Sequence, residues 1–338
     1  KPLKRLIKFM KTLDKKLQNI KSSNNKPSDF IIADAKDADM AGGIRGPGYV
    51  RIKDGTLTDR PDNFSSYVNK MEKMTKSNLV DVMLMSMSSA EILVKKKLFK
   101  DSPVTPAIRL NDTTCTWGMI RNGDYDTHES RPFSTAQLKY AINFVDLGLY
   151  SITFNKNIDR DVLMLDMYRE FRKNAEEIGM RHFLEVFNSA TLSLSIKEMG
   201  QYVNDCILKT LAGQISKEKP IFLKIAYNGP SAMEELSTYD PHSLTVGILG
   251  GSKGTTRDCF ELIKQAYKYG ARVALFGRKI NLSEDQTTIV QTMRDIIENN
   301  LDSLEGVKLY HDRLNKLGFK SDRNIKDDSE LTEEVLKL

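Results

Sequence analysis

The feature that most constrains this chain is a repeated rhythm. Short apolar runs, each followed by a longer amphipathic stretch, recur between residues 28 and 300. The runs fall at 30–34, 79–85, 106–110, 149–154, 182–187, 220–227, 244–249 and 271–276. Each is nearly continuous in apolar residues, as strands buried on both faces are. Helical spacing fills stretches between them, near 62–77, from Ser88-Ser89-Ala90-Glu91 onward, and over 135–145, 159–178, 196–214, 256–269 and 283–299. Eight strand–helix units in this order predict an α/β fold, a (β/α)8 TIM barrel. A doubly wound sheet satisfies the alternation but leaves the placing of the charged residues unexplained.

The flanks divide the chain into 1–27, a helix and linker; 28–300, the barrel; and 301–338, a charged helical extension. Leu3, Leu6, Ile7, Met10, Leu13, Leu17 and Ile20 recur at spacings of three and four, so an amphipathic helix is expected over residues 1–22. It is expected to cover the closed end of the barrel or an oligomer interface; its lysines leave a membrane surface as the rival. Two loops stand out. Ala41-Gly42-Gly43 to Gly46-Pro47-Gly48 is glycine-rich, and the insertion after the third run carries Trp117, Asn122-Gly123 and His128. Long loops in compact domains are usually functional.

Composition serves mainly to exclude. The net charge of +6 is spread along the chain, and no nucleic-acid-binding motif accompanies it. No run approaches the roughly 20 apolar residues a membrane span needs, and no secretory pattern opens the sequence. Cys115, Cys206 and Cys259 are too far apart for a disulfide framework or a zinc site, so a reducing cytoplasm is expected. His128, His182, His242 and His311 show no ligand spacing, and neither metal nor other cofactor is expected.

The sixth run, Pro220-Ile221-Phe222-Leu223-Lys224-Ile225-Ala226-Tyr227, holds one lysine. Alternation puts Ile221, Leu223 and Ile225 on one face and Phe222, Lys224 and Ala226 on the other. With the first face against helices, Lys224 points into the barrel. Burial disfavours a charged ammonium, and a neutral amine is the nucleophile of Schiff-base chemistry. Asp34 and Glu185 are read the same way, inward and near the C-terminal strand ends, where barrels carry their active sites. Gly250-Gly251-Ser252 after the seventh run and Gly277-Arg278 after the eighth fit a phosphate site. Glycines admit backbone N–H groups to the oxygens, and an arginine clamps them. Arg109 and Lys36 are candidates for a second anionic group.

Together, Asp34, Glu185, Leu-Lys224, Gly250-Gly251-Ser252 and Phe-Gly277-Arg278 resemble the class I aldolase superfamily, in its tagatose-bisphosphate, archaeal fructose-bisphosphate and deoxyribose-phosphate aldolase branch. The resemblance implies a metal-independent lyase acting on a phosphorylated sugar, with Lys224 forming the imine. It implies that Glu185 moves protons, that Asp34 assists, and that the two glycine turns hold phosphate. A homo-oligomer without nucleic-acid or membrane partners is expected. The tagatose-bisphosphate type carries a lysine on the fourth strand, where this chain has Tyr150 and Ser151. The archaeal branch carries a tyrosine at the position of Glu185. The alternative is a phosphate-binding barrel with transaldolase-like, thiolase-like or no catalytic activity.

Overall fold

The computed structural model describes residues 10–338. Eight parallel strands close into a barrel: β1 (Ile31–Lys36), β2 (Val82–Met85), β3 (Thr105–Arg109), β4 (Leu147–Thr153), β5 (Arg181–Phe187), β6 (Leu223–Ile225), β7 (Val246–Leu249) and β8 (Val273–Phe276). β1 closes the ring by pairing with β8, Asp34 opposite Phe276, and with β2, Asp34 opposite Met83. Helices cover the outside, as the (β/α)8 pattern requires.

Two layers of apolar packing follow from strand alternation. Ile31, Ala33, Ala35, Val82, Leu84, Ala107, Leu147, Leu149, Phe183, Phe222, Val273 and Leu275 point inward and pack together. Their neighbours, among them Ile32, Met83, Ile108, Tyr150, Leu184, Leu223 and Ala274, point outward into the helices. Strand six therefore has the predicted phase, with Phe222 and Lys224 on the inner face.

Helix Thr12–Lys21 closes the N-terminal end of the barrel. Leu13, Leu17 and Ile20 pack on the inner-face cluster. Lys16 Nζ donates to Asp81 and to the Phe30 carbonyl, and Arg181 pairs with Asp14. Leu3, Leu6 and Ile7 lie outside the described residues. Among the described residues no helix is long and apolar enough to cross a membrane.

Local chemistry sets the helix starts. Asn63 caps Phe64–Ser77, Ser195 and Glu198 form a capping box on Ile196–Ala212, and Thr255 and Asp258 do so on Thr256–Lys268. The helix expected from Ser88 starts one residue earlier, at Met87, capped by Ser86. The helix expected over 135–145 shrinks to Leu138–Ala141, and Pro230–Tyr239 supplies an unforeseen helix between β6 and β7. At the C-terminus, Ser303–Leu317 packs on Gln286–Glu298 and Thr256–Lys268. The tail then returns to the mouth, where Asp258 accepts hydrogen bonds from Thr332.

Candidate active site

A cavity of about 400 Å³ opens at the C-terminal ends of the strands. Its inward wall is built from Ala35, Arg109, Glu185, Lys224, Leu249, Leu275 and Gly277. Asp37 and the short helix Ala38–Gly42 after β1, with Asp112, Cys115, Thr116, Gly118 and Met119 from the insertion after β3, raise the rim. That insertion is anchored by a two-strand hairpin in which Asp112 pairs with Phe133, and by Trp117, packed edge-on to Tyr125 and Phe133. Arg45 donates to the Met119 carbonyl, tying the two rim loops together. Gly46 has to be glycine there, since a Cβ would lie 2.4 Å from the Ala38 carbonyl oxygen.

Lys224 sits on the cavity wall and is 5% exposed. Its Nζ lies 2.6 Å from Glu185 Oε1, across the β5–β6 pair that sets the two residues side by side. Glu185 Oε2 accepts from Arg109 at 2.9 Å and from the Ser151 hydroxyl at 2.8 Å. Ser151 is thus what this chain has on the inner face of β4; Tyr150 turns outward and stacks on Phe171. Asn111 locks the register, its side-chain amide donating to the Ser151 carbonyl and accepting from the Ser151 N–H.

Arg109 is the hub. Its Nε binds Asp37 Oδ2 at 2.5 Å, and its terminal nitrogens reach Ser151, Asp112 and Glu185. Burial opposes its charge, but Asp37, Asp112 and Glu185 together hold it well above the ordinary arginine range. Its donors are committed to the protein, which makes it an organiser of carboxylates. Burial also opposes the Asp37 charge, yet Arg109 and then Lys224 hold that carboxyl below its usual range. Asp112 goes the other way: burial, reinforced by Asp37 and Glu185, outweighs Arg109 and raises it to about 6.

The structure places Asp34 and Lys36 elsewhere. Ala33 and Ala35 occupy the inner face of β1, so residues 34 and 36 face the helix Phe64–Ser77. Neither lines the cavity. Lys36 Nζ lies 2.6 and 2.7 Å from the two Asp34 oxygens, and both side chains are 0% exposed. Burial pushes the Asp34 carboxyl up and the Lys36 ammonium down. The expected inward Asp34 is corrected on this geometry: the acid that the β1 side brings to the cavity is Asp37, two alternation steps beyond Ala33.

At the opposite rim, Gly250, Gly251, Gly277 and Arg278 line the cavity. The Arg278 side chain makes no hydrogen bond or ion pair with any described residue; burial lowers its pKa against the pull of Glu333. Ser252 does not line the cavity; its hydroxyl donates to Glu333 of the C-terminal tail at 3.4 Å. Lys279 meets the same carboxylate at 3.4 Å. Among the described residues no group of three or more His, Cys, Asp or Glu side chains is arranged to hold a metal ion. His182 is buried behind β5 against the Tyr168 hydroxyl at 2.8 Å.

Sequence comparison adds nothing: no protein-family profile and no curated protein matches the chain. Comparison of folds finds the same (β/α)8 barrel in solved structures, aldolases among them. A Schiff-base-forming fructose-1,6-bisphosphate aldolase superposes with a TM-score of 0.57 at 14% identity, over 84% of this chain and 99% of its own. An archaeal fructose 1,6-bisphosphate aldolase gives 0.55 at 14% identity, over 85% and 99%. The fructose-bisphosphate aldolase from Slackia heliotrinireducens gives 0.61 at 12% identity, over 89% and 90%. At such identities the likeness establishes the barrel alone.

Proposed function

We propose that this chain is a metal-independent Schiff-base aldolase that makes or breaks a carbon–carbon bond in a phosphorylated ketose. The observation that carries this reading is the Lys224–Glu185 pair at 2.6 Å inside a cavity whose far rim presents Arg278 and two glycine turns. A cavity of about 400 Å³ is the size that takes one small polar metabolite.

The side chains divide the work. Glu185 takes a proton from the Lys224 ammonium, and the freed amine adds to the substrate ketone to give a carbinolamine. The same carboxyl returns a proton to the departing hydroxyl, leaving an iminium ion. Arg109 and Ser151 hold Glu185 in place through its second oxygen. Arg278 and the N–H groups of Gly250, Gly251 and Gly277 receive the substrate phosphate. Asp34 and Lys36, buried away from the cavity, are left out of this chemistry.

Borohydride trapping with dihydroxyacetone phosphate, followed by peptide mass spectrometry, tests the reading. A reduced adduct on Lys224, absent in Lys224→Met, is expected. No adduct with dihydroxyacetone phosphate, pyruvate or a simple aldehyde would leave a phosphate-binding barrel that uses Lys224 only as a charge.

A further inference from the structure

Resting on the aldolase reading, we propose that Asp112 takes the substrate hydroxyl proton whose loss breaks the carbon–carbon bond, while Glu185 serves only the imine-forming steps at Lys224 and the ketone carbon. One buried centre has to move protons at two places, the imine nitrogen and a hydroxyl two carbons away. Of the four carboxylates lining the cavity, Asp126 is exposed, and the three clustered on Arg109 differ in what they have left to offer.

Both oxygens of Glu185 are engaged, Oε1 by Lys224 and Oε2 by Arg109 and Ser151. Asp37 is bound to the Arg109 Nε at 2.5 Å, and that arginine with Lys224 keeps it a weak base. Asp112 meets Arg109 through Oδ1 alone, at a long 3.2 Å, and the same oxygen accepts from Thr116 at 3.2 Å. Its Oδ2 has no hydrogen-bond partner among the described residues, and the residue lines the cavity. Pairing with Phe133 in the hairpin fixes its backbone, so the free oxygen is held rather than wandering.

Charge balance within the ion-pair cluster points the same way. Asp37, Asp112 and Glu185 share two cations, Arg109 and Lys224, so one carboxylate is left over; Asp126 and Arg278 line the cavity outside this cluster. The groups facing Asp112 are Arg109 from β3, Asp37 from the loop after β1, Glu185 from β5 and Thr116 from its own loop. Burial among them raises Asp112 to about 6, close to where a general base works best near neutral pH.

In the cleavage step, Lys224 is already joined to the ketone carbon as an iminium. Asp112 accepts the proton of the hydroxyl on the β carbon. The O–H electron pair becomes the second bond of the departing aldehyde, and the bond between the α and β carbons breaks. Its electron pair forms the enamine double bond, and the iminium nitrogen regains its lone pair. Protonated Asp112 gives its proton to the α carbon, restoring the iminium, which water hydrolyses to ketone and free Lys224.

The test separates the two proton sites on the full chain. Asp112→Asn keeps the shape of the side chain, and Asp112→Glu restores the carboxyl. Trapping uses dihydroxyacetone phosphate, which has no bond to cleave; turnover uses fructose 1,6-bisphosphate and a panel of other phosphorylated ketoses. In Asp112→Asn, trapping on Lys224 is expected within about twofold of the parent, with cleavage down about 10²–10⁴-fold. The acid limb of the parent kcat profile near pH 6 is expected to vanish, and Asp112→Glu is expected to regain part of the turnover. Parallel loss of trapping and cleavage in a folded Asp112→Asn variant, or undiminished cleavage, would overturn the assignment. A parent protein that forms no adduct, or cleaves none of these ketoses, sinks the aldolase reading and this assignment with it.

Discussion

Replacing Lys36 with methionine should be costly for stability and should leave the chemistry intact. The pair it breaks is sealed: both side chains are 0% exposed, and the ammonium lies 2.6 and 2.7 Å from the two carboxylate oxygens. Lys36→Met strands the Asp34 carboxylate in an apolar layer, and losing one partner of a buried pair costs about 3–5 kcal/mol. Against the roughly 5–15 kcal/mol that holds a typical domain together, that is a large share. Asp34→Leu/Lys36→Met removes both charges and should recover all but about 1–2 kcal/mol, since a buried pair exchanged for apolar groups is often near neutral. Urea unfolding followed by far-ultraviolet circular dichroism measures both numbers. The single-variant deficit should shrink as pH falls, because a lone buried carboxyl takes a proton more readily than it stays charged. Borohydride trapping on Lys224 should survive in the double variant. A deficit below about 1 kcal/mol in Lys36→Met, or a folded double variant that no longer forms the adduct, would refute the placement of this pair behind the barrel wall.

Two further outcomes are expected. Arg278→Ala removes the cation at the glycine rim and should raise KM for phosphorylated substrates roughly 10–100-fold with little change in kcat, as loss of a charge-assisted contact of about 1.5–3 kcal/mol implies; unphosphorylated analogues should be unaffected. His182 gives a stability signature. Burial, with Arg172 adding, lowers its pKa to about 3 from 6.5, so the unfolded chain binds the proton first. Its contribution is whole above pH 6.5 and is lost at about 1.4 kcal/mol per pH unit as pH falls toward 3. Unfolding titrations should therefore show His182→Gln less acid-sensitive than the parent below pH 6.5.

How far the sequence could be read depends on what each residue answers to. The barrel was legible because eight apolar runs are a global pattern that short-range errors do not disturb. Lys224 was legible because its strand has large apolar residues on one face and only one charge to place. On β1 the same reasoning chose the wrong face. Both faces of a parallel strand are buried, so Ile31 and Ile32 look alike, and the small inner residues Ala33 and Ala35 give no sign of which way they point. The available cue was Lys36, two residues from Asp34 and therefore on its face, with the right charge to pair with it. Asp37 and Asp112 were hidden for a different reason. They lie beyond their strands, where alternation stops, and what brings them to the candidate site is Arg109 reaching both from β3. Ser252 shows a third limit: its neighbour Glu333 is 81 residues away along the chain.

The helix Thr12–Lys21, with Leu13, Leu17 and Ile20 set into the bottom of the barrel, turns the site into a blind vessel. Whatever enters past the rim loops must leave by the same doorway. For the proposed aldolase reaction, which splits one molecule while half of it is tethered to Lys224, this imposes a queue. The untethered fragment has to clear the entrance before water can reach the imine and release the other. Stoppering the base of the barrel thereby makes product release sequential, and it is the fragment released last, the one bound to the lysine, that should act as the competitive product inhibitor.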